Sequence, residues 1–121
     1  VKAPLKILAV DNEPSITLSL SYIFEGPRYE LTGMESAQAA LAGPDVHRYD
    51  VIIVDHKMPQ LTGVELVGEI RKRGVSGKIM VLSAQLSPEV RDAYERMDVH
   101  VMLAKPFDIS DLRSAVERLA A

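Results

Sequence analysis

The run Val51-Ile52-Ile53-Val54 sets four β-branched apolar residues in succession and ends abruptly on Asp55. An unbroken run of this kind fits a strand buried on both faces, the pattern of a parallel sheet between helices. Asp55 then falls where the strand leaves the core. In open parallel sheets ligands bind outside the carboxyl ends of the strands, where strand order reverses, so this position suits chemistry. Taken alone, Asp55 is better read as the residue that starts the turn His56-Lys57-Met58-Pro59. The other strand ends change that balance.

Leu5–Val10 is a second apolar run, and it too ends on acid, Asp11-Asn12-Glu13. Pro14 suits the first turn of a helix, and Ile16, Leu20, Ile23 and Phe24 follow at helical spacing until Gly26-Pro27. Tyr29–Met34 is a weaker second strand, followed by a short helix with Ala37, Ala40 and Leu41 inward and Gly43-Pro44 as its stop. After Asp55, a loop leads to a third helix marked by Val64, Val67 and Ile70 and ending near Gly74. Thr62 is its cap, and Gly63 permits its close approach.

Lys78–Leu82 is the fourth strand, ending on Ser83-Ala84. Ser87 caps and Pro88 starts a fourth helix whose apolar stripe is Val90, Ala93, Tyr94 and Met97. His100–Ala104 is the fifth strand, ending on Lys105-Pro106; Asp108 caps a last helix with Ile109, Leu112, Val116 and Leu119 inward. Strands alternating with helices through right-handed crossovers predict an α/β fold, a parallel sheet covered on both faces.

A chain of 121 residues is one domain's worth, 1–121, and buries about two thirds of its unfolded surface without metal or disulfide. With 47% hydrophobic and 26% charged residues and no cysteine, a soluble domain of a reducing compartment is expected. The net charge of -3 argues against direct nucleic-acid binding. No apolar run reaches membrane-spanning length and Val1-Lys2-Ala3-Pro4 opens no secretory signal, so a cytoplasmic location is expected.

Strand ends one, three, four and five deliver Asp11 and Asn12, Asp55, Ser83, and Lys105. Acids, a hydroxyl and a lysine together suit a divalent cation and a phosphoryl group. Mg2+ takes oxygen ligands and keeps several waters, so Asp11, Asn12 and Asp55 with one backbone carbonyl would suffice. Such a cation lowers the repulsion between a phosphoryl group and an attacking carboxylate. Ser83 can donate to one phosphoryl oxygen and Lys105 can pair with another.

Each residue has a plainer reading. Asp11 to Glu13 is also a favourable acidic helix start. Lys105 alone would be a surface lysine, and Ser83 alone a loop hydroxyl. His56 beside Asp55 suggests a base, but no second base or nucleophile accompanies it. His47 and His100 read as structural, and Met58-Pro59 as loop packing.

The motifs Val-Asp-Asn-Glu-Pro-Ser (10–15), Val-Asp-His-Lys-Met-Pro (54–59) with Thr62-Gly63, Leu-Ser-Ala (82–84) and Ala-Lys-Pro-Phe (104–107) resemble the receiver domain of two-component response regulators along the whole chain. The resemblance implies the three-layer, doubly wound, flavodoxin-like (βα)5 fold with strand order 2-1-3-4-5. It implies that Asp55 takes a phosphoryl group from a histidine kinase as an acyl phosphate. Asp11 and Asn12 would match the metal-binding pair for Mg2+ or Mn2+, and Lys57 the residue whose carbonyl binds the metal. Ser83 and Lys105 would hold the phosphoryl group, and Lys105-Pro106 resembles the family's cis peptide. Activity would be limited to metal-dependent self-phosphorylation and dephosphorylation.

The signal would pass to an output domain or downstream protein, most commonly a DNA-binding transcriptional regulator. A homodimer through helix four, strand five and helix five is implied, on a face carrying Arg91, Glu95, Arg96, Arg113 and Glu117. The chain stops as helix five ends, which fits a receiver cut from a longer regulator or a stand-alone one.

Two positions depart from the family pattern. Asn12 replaces an acid, keeping an oxygen but losing a charge. Met102 stands where an aromatic ring normally moves together with the hydroxyl of Ser83, and a methionine fills either volume, which blunts such a switch. Both departures fit an alternative, a pseudo-receiver that binds partners without phosphorylation. An enzyme on this sheet fits poorly. Asp11-Asn12-Glu13 would repel a flavin phosphate, no dinucleotide or P-loop motif is present, and an aspartyl-phosphate phosphatase needs an acid where Lys57 stands.

Overall fold

The apolar runs become the strands of one sheet in the computed structural model, which describes residues 3–43, 45–99 and 101–121. The elements are β1 (Leu5–Val10), α1 (Pro14–Ile23), β2 (Tyr29–Met34), α2 (Ala37–Ala42), a 3-10 turn (Val46–Arg48), β3 (Val51–Asp55), α3 (Gly63–Lys72), β4 (Lys78–Ser83), α4 (Pro88–Arg96), β5 (Val101–Ala104) and α5 (Ile109–Ala120). All strand pairs are parallel, in the order β2-β1-β3-β4-β5. The chain turns from β1 to β2 on one side and then crosses back to place β3 on the other. That reversal opens a crevice at the carboxyl ends of β1 and β3.

Side chains alternate between the two faces of each strand. Leu8, Val10, Ile52, Val54, Ile79 and Val81 pack with Ala37 and Ala40 of α2, Leu66, Val67 and Ile70 of α3, and Tyr94 of α4. Ile7, Ala9, Ile53, Met80 and Leu82 pack on the opposite face with Leu20 and Ile23 of α1 and Leu112, Ala115 and Val116 of α5. Every residue of β3 is buried, as a strand covered on both sides must be. Full burial of each such aliphatic side chain contributes about 1.5–3 kcal/mol.

The helix starts follow their local chemistry. Ser36, Ser87 and Asp108 cap α2, α4 and α5 by accepting backbone N–H groups. Thr62 forms a full capping box with Glu65 at α3.

The structure differs from the sequence reading in several places. Ile109 is 55% exposed. It occupies the first position of α5, and the buried stripe begins one turn later at Leu112. Within α4 only Tyr94 is buried; Val90, Ala93 and Met97 keep part of their surface in water. Of the charges expected on the helix-four face, Arg113 donates to the Ile23 carbonyl of α1 and Glu117 accepts from Arg28 and from Tyr29 of β2. His100, as the expected start of the fifth strand, and Pro44, as part of a helix stop, lie outside the described residues. No helix of the described residues is long and apolar enough to cross a membrane.

Candidate functional site

The carboxyl ends of β1, β3 and β5 bring Asp11, Asp55 and Lys105 together. Asp11 and Asp55 are 2% and 3% exposed, an extreme for carboxylates that requires partners. Lys105 supplies them: its Nζ lies 3.2 Å from Asp11 Oδ2 and 3.1 Å from Asp55 Oδ1. Glu13 Oε1 stands farther out, 3.9 Å from the same ammonium. The Lys105-Pro106 peptide bond is cis. The Lys105 amide donates to the Ser83 carbonyl at 2.8 Å, which fixes the strand exit that carries the side chain inward.

Asp11 divides its oxygens between two tasks. Oδ1 accepts the Glu13 amide at 2.9 Å, while Oδ2 faces Lys105. The helix-start reading and the site reading therefore hold at once, one on each oxygen. Burial, and next the charge of Asp11, push the Asp55 carboxyl above the ordinary aspartate value, against hydrogen bonds from Lys105 and the Lys57 amide. For Lys105, burial works against the charge, but the bonds to Asp55 and Asp11 outweigh it and raise its pKa.

Asn12, Glu13, Asp55, Lys57, Ala84 and Lys105 line a cleft of about 570 Å³, with Asp11 buried behind it. Two buried carboxylates with one ammonium between them leave a net negative charge, increased by Glu13. Hard oxygen donors in negative excess fit Mg2+, which needs only one or two carboxylates and keeps waters. Among the described residues no three His, Cys, Asp or Glu side chains are gathered as a metal cage. Any cation here would rest on two acids, with Asn12 and backbone oxygen completing the set.

Ser83 is buried at the end of β4 but does not line this cleft. Its hydroxyl donates weakly to the Gln85 carbonyl at 3.3 Å and borders a second cleft with Met102 and Arg91. Met102 packs part of its side chain against the α2–α4 core. His47 bridges Asp45 and the Arg73 carbonyl, a structural role. Met58 is buried in the loop.

His56 turns out to face the fold rather than the cleft. Its Nδ1 is hydrogen-bonded to the Tyr94 hydroxyl at 2.6 Å, with the rings edge to face. Burial lowers the His56 pKa, against the charge of Asp55, and raises that of Tyr94, so both partners are held in their neutral forms. The sequence places Tyr94 in the apolar stripe of its helix but does not pair it with His56, 38 positions away. A lone aromatic in a charged helix, Pro-Glu-Val-Arg-Asp-Ala-Tyr-Glu-Arg, is the signal that was available.

Known proteins share this architecture. The chemotaxis protein CheY4 of Vibrio cholerae superposes with a TM-score of 0.88 at 32% identity, covering 97% of this chain and 99% of that one. The transcriptional regulatory protein PdtaR of Mycobacterium tuberculosis is 30% identical over 115 residues, which is 94% of this chain and 56% of PdtaR. This chain thus spans only about half the length of that relative. Sporulation initiation phosphotransferase F of Bacillus subtilis is 25% identical over 113 residues, 93% of this chain and 91% of that protein. The family profile described as the response regulator receiver domain matches residues 7–117, and this chain accordingly belongs to the receiver-domain family of two-component response regulators.

Proposed function

We propose that Asp55 is the phosphoacceptor of this receiver, taking a phosphoryl group from the phosphohistidine of a histidine kinase. The observation that carries this reading is the pairing of Asp55 with Asp11 through Lys105 at the mouth of the β1/β3 crevice, the two carboxylates withdrawn from water and the lysine half-buried between them. A carboxylate poorly solvated in this way gains from losing its charge, whether by forming a bond or by meeting a cation. An oxygen of Asp55 attacks phosphorus as the N–P bond of the phosphohistidine breaks, and the histidine nitrogen keeps the electron pair and takes a proton. Attack of water on the acyl phosphate later restores the carboxylate and releases inorganic phosphate.

Lys105 releases Asp55 and pairs with a phosphoryl oxygen. Ser83 exchanges its weak bond to the Gln85 carbonyl for a second phosphoryl oxygen. Asp11, Asn12, Asp55 and the Lys57 carbonyl would hold Mg2+ or Mn2+, which supplies positive charge against the phosphoryl oxygens. The protein turns over no free substrate beyond this self-phosphorylation and dephosphorylation. Its output is transcriptional regulation in the cytoplasm, through a linked domain or a downstream protein. The relative named as a transcriptional regulator and the one named as a phosphotransferase support the two halves of this reading.

Intact-mass measurement after treatment with a small phosphodonor and Mg2+ tests the assignment. One phosphoryl adduct is expected on the natural chain and none on Asp55→Asn. An adduct gained at the natural rate by the variant would place the phosphoacceptor elsewhere.

A further inference from the structure

Tyr94 has no exposed surface and is the one buried residue of α4, so its side chain is the main anchor of that helix on the sheet. Its ring enters the apolar core, but its hydroxyl travels further and meets the segment that follows Asp55. There it bonds His56 Nδ1 at 2.6 Å. It also lies directly against Gly63: a Cβ on that glycine would collide with the hydroxyl and come within 2.8 Å of the His56 Cα and 3.1 Å of the Asp55 carbonyl oxygen. The His56 backbone is held as well, its N–H donating to the Leu82 carbonyl at 3.0 Å and its carbonyl accepting from Gly63 at 2.9 Å. The hydroxyl of Tyr94 is thus the point at which α4 grips the turn carrying Asp55 and Lys57.

We propose that Tyr94 is a positioning residue for the phosphoacceptor site, fixing the Asp55-His56-Lys57 segment to α4 through its hydrogen bond to His56. This rests on Asp55 being the phosphoacceptor. The bond joins the fully buried Tyr94 to the half-buried His56, and on the tyrosine side, shielded from competing water, a single polar contact is strong and directional. A change at Asp55 that moves His56 has to be followed by Tyr94, or the hydroxyl is left buried without its partner. Coupling is reciprocal, so whatever shifts α4 also changes the ease with which Asp55 accepts phosphate. Met102 offers no such link: its thioether is a weak acceptor and its flexible chain fills space without fixing a direction.

The test compares the natural chain with Tyr94→Phe, His56→Leu and His56→Asn, each first shown to be folded by circular dichroism. Two quantities are read: the rate of phosphorylation by a small phosphodonor, by intact mass, and the 15N-amide shifts of α4 on adding beryllofluoride as a phosphoryl mimic. Tyr94→Phe and His56→Leu each break the same bond from opposite sides, so either suffices if the other fails to fold. Both should slow phosphorylation by about three- to tenfold, the range of one hydrogen bond, and lose most of the α4 shift. His56→Asn keeps an acceptor close to the place of Nδ1 and should recover most of both, which a purely packing role would not produce. Natural rates and natural α4 shifts in Tyr94→Phe and His56→Leu would overturn the proposal while leaving the phosphoacceptor reading intact. Absence of any adduct on the natural chain would remove both together.

Discussion

Asn12 lines the cleft beside Asp55 and Lys57 and brings a neutral amide to the proposed Mg2+ site, where charge would decide affinity. At about 4 Å and an effective dielectric near 20, a unit charge interacts by roughly 4 kcal/mol, and about twice that with a divalent ion. Desolvation and relaxation cancel most of this, leaving a net loss of about 1–2 kcal/mol relative to an acid. Asn12→Asp should therefore tighten Mg2+ binding by roughly five- to thirtyfold in a calorimetric titration. Equal affinities would mean that Asn12 belongs only to the helix start. At this scale the sequence was informative about type and silent about direction. Apolar runs ending on Asp11, Asp55 and Lys105 pointed to a shared edge, because strands of a parallel sheet all open the same way. Nothing in the residue order could say that the Ser83 hydroxyl turns to the Gln85 carbonyl or that His56 turns to Tyr94. Those directions are set by loop geometry and by partners distant in the chain.

The elements were legible where a face is fully covered and less so at helix ends. β3 and the inner parts of β1 and β4 are continuous apolar runs because both of their faces are buried there, and Lys6 and Lys78 fall at the less covered entry ends. Ile109 was misplaced because helical periodicity runs through the first turn whether or not that turn is covered. The start of α3 combines a local signal with a tertiary constraint. Thr62 and Glu65 cap one another, whereas Gly63 is required by what surrounds it. Alanine at that position would improve intrinsic helix propensity, an advantage of at most about 1 kcal/mol. It would also drive a Cβ into the Tyr94 hydroxyl and within 2.8 Å of the His56 backbone, neither of which is a flexible side-chain end in open space. Overpacking of this kind costs about 1–3 kcal/mol, so Gly63→Ala should be net destabilising in urea unfolding. A variant as stable as the natural chain would show that the turn after Asp55 yields easily.

Across the whole molecule, the sheet face covered by α1 and α5 is closed at the end opposite the site by contacts between residues far apart in sequence. Tyr29 of β2 donates to Glu117 of α5, 88 positions away, and Arg28 pairs with the same carboxylate at 3.0 Å. The ring of Tyr29 packs edge-on against Phe24 at 5.1 Å. Burial, followed by the hydrogen bond and charge of Glu117, holds the Tyr29 hydroxyl above the ordinary tyrosine pKa. Its folded value thus exceeds its unfolded one, and the associated stability is fully present below about pH 10 and lost as pH rises through the folded value. The sign follows from the unfolded chain, which releases the proton first and is favoured by doing so. Exposure of this part of the surface screens the interaction and keeps the effect small. Tyr94 also titrates late, so the natural chain alone would not isolate the contribution of Tyr29. Comparison with Tyr29→Phe does. The natural chain should be the more stable of the two at about pH 8, and the gap in urea midpoint should narrow as pH rises above about 10. A gap that stays constant as pH rises would mean that the hydroxyl does not act through its proton, and that whatever it adds to the contact between β2 and α5 is independent of its ionisation.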